Sequence, residues 1–196
     1  MTSPAGIRIL RAADRAAVPW KNGGGVTREI AARPEDAGTA DFAWRVSLAE
    51  VAADGPFSEF PGVDRTLTLA EGAGMDLTVG EEHRRVDERY APRHFPGDLP
   101  TGCRLLGGPV VNFNVMWRRE RAGARTAVVR GELGLDVRPD ETLLLVALDG
   151  PALLTGPGGE GAPVELSPYD AALVTEPLSC AVRTGGRVAV VRLTDR

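Results

Sequence analysis

The chain has 196 residues, a formal net charge of −4, 43% hydrophobic residues and 5% aromatics. That length can bury the core of one large domain or two small ones. The acidic balance argues against a nucleic-acid surface, no apolar run reaches the roughly 18 residues of a membrane span, and the N-terminus carries no signal-peptide pattern.

Taken in chain order, short apolar runs recur between glycines and prolines at 7–10, 46–51, 66–69, 75–79, 110–117 and 127–129. Further runs follow at 142–148, 171–174 and 188–193. Two of them alternate with period two. Trp44, Val46 and Leu48 oppose Arg45 and Ser47, and Phe113, Val115 and Trp117 oppose Asn112, Asn114 and Met116. Many short alternating runs with turn residues between them predict a β-sandwich or barrel. Only 14–18, 48–53 and part of 81–90 have a helical pattern, and all are short. Cys103 and Cys180 form no CxxC pair and read as buried thiols of a cytoplasmic protein.

The chain also repeats itself. At a shift of 76, Asp64-x-Thr66-Leu67-x-Leu69 falls on Asp140-x-Thr142-Leu143-x-Leu145, and Gly74, Leu77 and Gly80 fall on Gly150, Leu153 and Gly156. Cys103 matches Cys180 at a shift of 77, and Gly107-Gly108 matches Gly185-Gly186 at 78. Such a long period suggests two copies of a β-module joined by a crossover over 118–139. The copies differ in polarity: Glu141 replaces Arg65, Val190 replaces Asn112 and Arg192 replaces Asn114. A site is therefore expected in the first copy, and scaffold in the second.

The most unusual stretch is Pro19-Trp20-Lys21-Asn22-Gly23-Gly24-Gly25. Lys21 is the only lysine beside 22 arginines. Glycine N–H groups can approach a ligand closely, Lys21 adds a point charge and Trp20 an apolar wall, a set suited to a small carboxylate. A plain glycine turn is the simpler alternative, and the order of a phosphate loop is absent. Asp64-Arg65 is either a surface ion pair or places Arg65 as a fork for a carboxylate. His83 and His94 form no ligand motif, so a metal centre is not expected, and His83 sits in a charged, solvated run. No nucleophile elbow appears.

Together Trp20-Lys21-Asn22-Gly23-Gly24-Gly25-Val26-Thr27-Arg28-Glu29, Trp44-Arg45-Val46-Ser47, Phe60-Pro61-Gly62-Val63-Asp64-Arg65, Phe95-Pro96-Gly97-Asp98 and Asn112-Phe113-Asn114-Val115-Met116 resemble the HutD/Ves family of bacterial proteins. The resemblance implies an all-β double cupin (bicupin), two jelly-roll-like barrels in one chain. They would span 1–120 and 121–196, with the N-terminal segment a candidate to pair into the second. It also implies a metal-free, cofactor-free binder of a small metabolite such as formylglutamate, sensing or limiting flux in histidine utilisation or acting in stress response, with no established catalysis. Asn112 stands where the family pattern has Asp, which removes a charge.

The expected ligand site combines Arg45, Ser47, Asn112 and Asn114 inside the first barrel with Lys21, Asn22, Gly23 and Gly24 at its mouth. Arg65 is a further cation, and Lys21 and Arg45 are the principal ones. The expected partner is a small carboxylate, with neither nucleic acid nor membrane, and a homodimer through sheet edges is left open. One alternative is an isomerase or hydrolase pairing Lys21 with Glu29 or Asp64. Another is an interaction module whose pocket is filled by side chains.

Overall fold

A computed structural model of the protein describes residues 6–159 and 162–196. In chain order its strands are β1 (Ile7–Leu10), β2 (Val18–Pro19), β3 (Gly25–Arg33), β4 (Trp44–Val51), β5 (Gly55–Phe57) and β6 (Val63–Glu71). Then come β7 (Met75–Val79), β8 (Glu82–Val86), β9 (Arg93–Pro96), β10 (Thr101–Leu105) and β11 (Val110–Arg118). The rest are β12 (Ala122–Asp136), β13 (Glu141–Ala147), β14 (Ala152–Thr155), β15 (Val164–Leu166), β16 (Ala171–Val174) and β17 (Ser179–Asp195). The fold is all-β, and each of the nine apolar runs overlaps a strand. The only helical turns among the described residues are 3-10 turns at Ala12–Asp14 and Pro157–Gly159.

The chain divides into two compact units. One holds residues 16–123 with Arg196, the other residues up to Arg15 with 124–195. The first contains a six-stranded sheet, ordered β2-β3-β4-β11-β6-β9, and a four-stranded sheet, ordered β5-β10-β7-β8. Leu67, Leu69, Met75, Leu77, Phe95 and Val110 form its apolar core. Each of the fully buried aliphatic chains contributes about 2 kcal/mol by leaving water. The second unit is a seven-stranded sheet, ordered β1-β16-β13-β17-β14-β15 with β12 on β17, around Leu143, Leu145, Leu154, Leu166 and Val182.

The sequence repeat is visible in the pairing. Leu67 lies opposite Asn114 and Leu69 opposite Asn112, while Leu143 lies opposite Arg192 and Leu145 opposite Val190. The registers therefore coincide on this strand pair. They differ on the next, where Leu77 faces Cys103 but Leu153 faces Arg183, three residues beyond the matching Cys180. In the second unit one long strand, β17, does the work of both β10 and β11. Its first half pairs with β14 and its second with β13, on either side of Gly185-Gly186. A Cβ on Gly186 would come within 2.5 Å of an Asp149 side-chain oxygen and 3.1 Å of the Gly150 backbone, so a larger residue in that bend has to displace Asp149.

Three expectations are corrected. The helical pattern at 14–18 gives way to a 3-10 turn and β2, that at 48–53 is the end of β4, and that at 81–90 contains β8. Windows this short fit either period, and cross-strand pairing decides: Val51 faces Val110 and Val86 faces Met75. The segment 118–139, expected as the crossover between the copies, is largely the 15-residue strand β12.

Candidate functional site

β11 is the axis of the site. Its register puts Asn112 beside Ala49 and Leu69, Asn114 beside Ser47 and Leu67, and Met116 beside Arg45 and Arg65. Side chains alternate along a strand, so these residues share one face. Leu67 and Leu69 belong to the apolar core, so that face is the interior of the unit. Glu29 lies opposite Ser47 on β3 and extends the same belt, and the register slips just beyond it. Phe113 and Val115 point the other way and are also fully buried. The four residues read from period two, Arg45, Ser47, Asn112 and Asn114, thus share a face with Arg65.

Arg65 carries the electrostatics of the belt. The residue is 7% exposed, and burial pushes its guanidinium pKa down to about 10, still well above neutrality. Its Cζ sits 5.2 Å from the ring centroids of both Phe57 and Phe95. Nη2 donates a long hydrogen bond, 3.4 Å, to Asn114 Oδ1, and Nε has no partner. No carboxylate among the described residues pairs with it. Close by in the belt, Asn112 is 1% exposed, its Nδ2 lies 3.8 Å from Met75 Sδ and its Oδ1 has no donor. A buried cation without a counter-charge is costly, and an anion beside it removes that cost.

The other predicted cations are placed differently. Arg45 Nε donates to Glu29 Oε2 at 2.5 Å, so this guanidinium is already neutralised. Lys21 is exposed and makes no ion pair among the described residues. The glycine loop is a tight turn. Trp20 N donates to Gly25 O at 2.9 Å, Gly23 N to Trp20 O at 3.0 Å, and Gly24 N to Asn22 Oδ1 at 3.1 Å. The Gly23 and Gly24 donors and the Asn22 acceptor are thus engaged within the turn. The turn seats Trp20, whose Nε1 donates to Thr27 Oγ1 at 2.7 Å and whose ring meets Phe57 edge-on at 6.2 Å. Lys21, Asn22, Gly23 and Gly24 follow Trp20 in the chain, and the link from this turn to Arg65 runs through Trp20 and Phe57.

Asp64 does not pair with its neighbour Arg65. Its Oδ1 accepts from Arg119 Nε at 2.8 Å, and Arg119 also holds Asp98 through two bonds of 2.9 and 3.0 Å. Glu29 and Asp64 are thus engaged by arginines. His94 Nδ1 lies 2.7 Å from Thr66 Oγ1, and His83 is exposed beside Asp76. No three His, Cys, Asp or Glu side chains among the described residues are grouped as a metal set. Both cysteines are buried and free, and burial pushes the Cys103 thiol up to about 11.

The second copy gives an internal control. At the positions of Arg65 and Asn114 stand Glu141 and Arg192, and Arg192 Nη1 donates to Glu141 Oε2 at 2.5 Å. That copy carries its own counter-charge, whereas the first does not.

The model of the HutD family matches residues 12–190. The chain belongs to the HutD family. Among HutD-related proteins, an uncharacterized 21.2 kDa protein in the hutC 3′ region of Pseudomonas putida is 36% identical over 141 residues, 72% of this chain and 74% of that one. Protein Ves of Cronobacter sakazakii is 39% identical over 110 residues, 56% of this chain and 59% of Ves. The HutD structure from Pseudomonas fluorescens SBW25 superposes with a TM-score of 0.83 at 36% identity, covering 97% and 99% of the two chains. A cupin 2 conserved barrel domain protein from Leptotrichia buccalis reaches 0.60 at 10% identity over 100% and 98%, which shows a cupin-like fold.

Sequence reasoning missed the roles of Phe57 and Phe95 around Arg65 and of Glu29 as the partner of Arg45. No local signal marks Glu29: it lies opposite Ser47 rather than Arg45, and it meets Arg45 only diagonally, across the register slip.

Proposed function

We propose that this HutD-family chain binds a small organic carboxylate inside its N-terminal unit, with Arg65 as the main cation and Asn112 and Asn114 as its polar neighbours. The observation that carries this reading is the buried Arg65, which has a free Nε and, among the described residues, no carboxylate partner. A carboxylate matches the guanidinium fork in shape and charge. Ser47 and Arg45 continue the polar face, and Lys21, Asn22, Gly23 and Gly24 form the rim beside Trp20. We read the two units as two cupin barrels, roughly residues 1–120 and 121–196 with β1 added to the second, and the protein as cytoplasmic.

The family connection supports a role in histidine utilisation as a sensor or flux limiter, with a formylglutamate-like ligand as the first to test and no metal involved. Isothermal titration with formylglutamate, urocanate and simple mono- and dicarboxylates tests the site. Binding that is lost in Arg65→Gln supports it, and no binding tighter than millimolar overturns it. Unchanged hut expression in a deletion strain counts against the regulatory role alone.

A further inference from the structure

Resting on the carboxylate site above, we propose that Glu29 is the specificity-determining residue that limits the barrel to one buried carboxylate. The interior belt carries three charges, on Glu29, Arg45 and Arg65. Glu29 and Arg45 cancel at 2.5 Å, which leaves a single uncompensated positive charge at Arg65. Other charged groups near this sheet are paired with one another: Arg93 with Glu88, Arg84 with Glu82, and Arg28 with Glu50. Arg45 and Arg65 both flank Met116, one strand away on either side, so their backbones lie roughly 10 Å apart. Two unpaired cations on one face would suit the two ends of a dicarboxylate. Glu29 already occupies one of them.

Two features make this arrangement more than a stray ion pair. The register slip begins immediately after Glu29. Slips of this kind re-aim side chains, and here the last residue in register points its carboxylate at the belt. Glu29 also contacts Arg45 through Nε alone, which holds the guanidinium by its side while cancelling its charge. A carboxylate end brought to Arg45 would meet the Glu29 charge, and like charges repel even where, as here, the carboxylate is about a third exposed. The ligand therefore buries one carboxylate at Arg65, and the second carboxylate of a ligand such as formylglutamate has to stay outside the belt, a constraint that a monocarboxylate of equal length does not meet.

Titration of chain-matched pairs tests the proposal: butyrate against succinate, and valerate against glutarate. The wild-type chain is expected to prefer the monocarboxylate of each pair. In Glu29→Gln the ratio is expected to move about tenfold towards the dicarboxylate. Glu29→Asp, which keeps the charge, is expected to retain the wild-type ratio and guards against an effect of misfolding. Carboxylate binding with the same ratio in Glu29→Gln as in wild type overturns the role of Glu29 while leaving the site intact. Wild-type protein that binds none of the four acids overturns the site and this inference together.

Discussion

Arg65 and Asn114 form a cation–amide pair where the second copy has the self-neutralised Glu141 and Arg192. The contrast predicts the effect of one atom exchange. Asn114→Asp would place a carboxylate against Arg65 and offset its desolvation by about 1–2 kcal/mol, a rise in Tm of about 3–6 °C. The same change would lower carboxylate affinity at least about tenfold, because the site then holds its own anion. Calorimetric melting and titration of one sample check both. A variant that is stabilised yet still binds would show that Arg65 is not the ligand's cation.

At the scale of elements, Arg119 clasps the start of β6 and the turn between β9 and β10 to the end of β11, through Asp64 and Asp98. Its hydrogen bonds hold the Asp98 carboxyl below its usual range. All three side chains are about a third exposed, so Arg119→Gln should cost less than ~1 kcal/mol, and less again at high salt. The sign with pH follows from the depressed carboxyl. The stabilisation is complete above the ordinary Asp value of 3.8 and is lost as pH falls through the lower value of the folded state. Urea melts of wild type and variant should therefore differ by a constant amount from about pH 5 upward and converge in stronger acid.

The glycine turn has a different sensitivity. A Cβ on Gly25 would lie 2.4 Å from the Glu50 carbonyl oxygen and 3.1 Å from Trp20 Cε3. The first neighbour is backbone of the paired strand and cannot swing away. Gly25→Ala should cost about 1–3 kcal/mol in thermal unfolding and weaken ligand binding by unseating Trp20.

For the whole molecule, the decisive feature is that the first strand belongs with the last third of the chain. β1 pairs with β16, and Ile7 is buried in the core of that unit. Asp170 fastens the segment by accepting from Ala12 N and Arg11 Nη1, both at 2.7 Å, and from Ser167 N at 3.1 Å. Deleting the chain through Arg15 should remove about 3 kcal/mol or more of stability from this unit. It should also open β16 to limited proteolysis, since its outer edge would lose its partner strand. Unchanged melting of the truncated protein would show that the segment is an accessory.

The amino-acid sequence by itself determined the β class, the places of most strands, the repeat and the family, because these rest on local alternation, on glycine and proline breaks, and on the Trp20–Gly25 and Asn112–Met116 motifs. Alternation also put Arg45, Ser47, Asn112 and Asn114 on shared faces. Only the tertiary structure decided which cation is unpaired. Lys21 drew attention as the sole lysine, yet it stands in solvent, and Arg45 is neutralised by Glu29, 16 residues earlier. Arg65 read equally as half of a local ion pair or as a fork for a carboxylate; neighbours on a strand face opposite ways, so Asp64 went to Arg119 and Arg65 went into the core. Counter-charges come from strands distant in sequence, and their pairing depends on register, which the sequence encodes only through the assembled sheet.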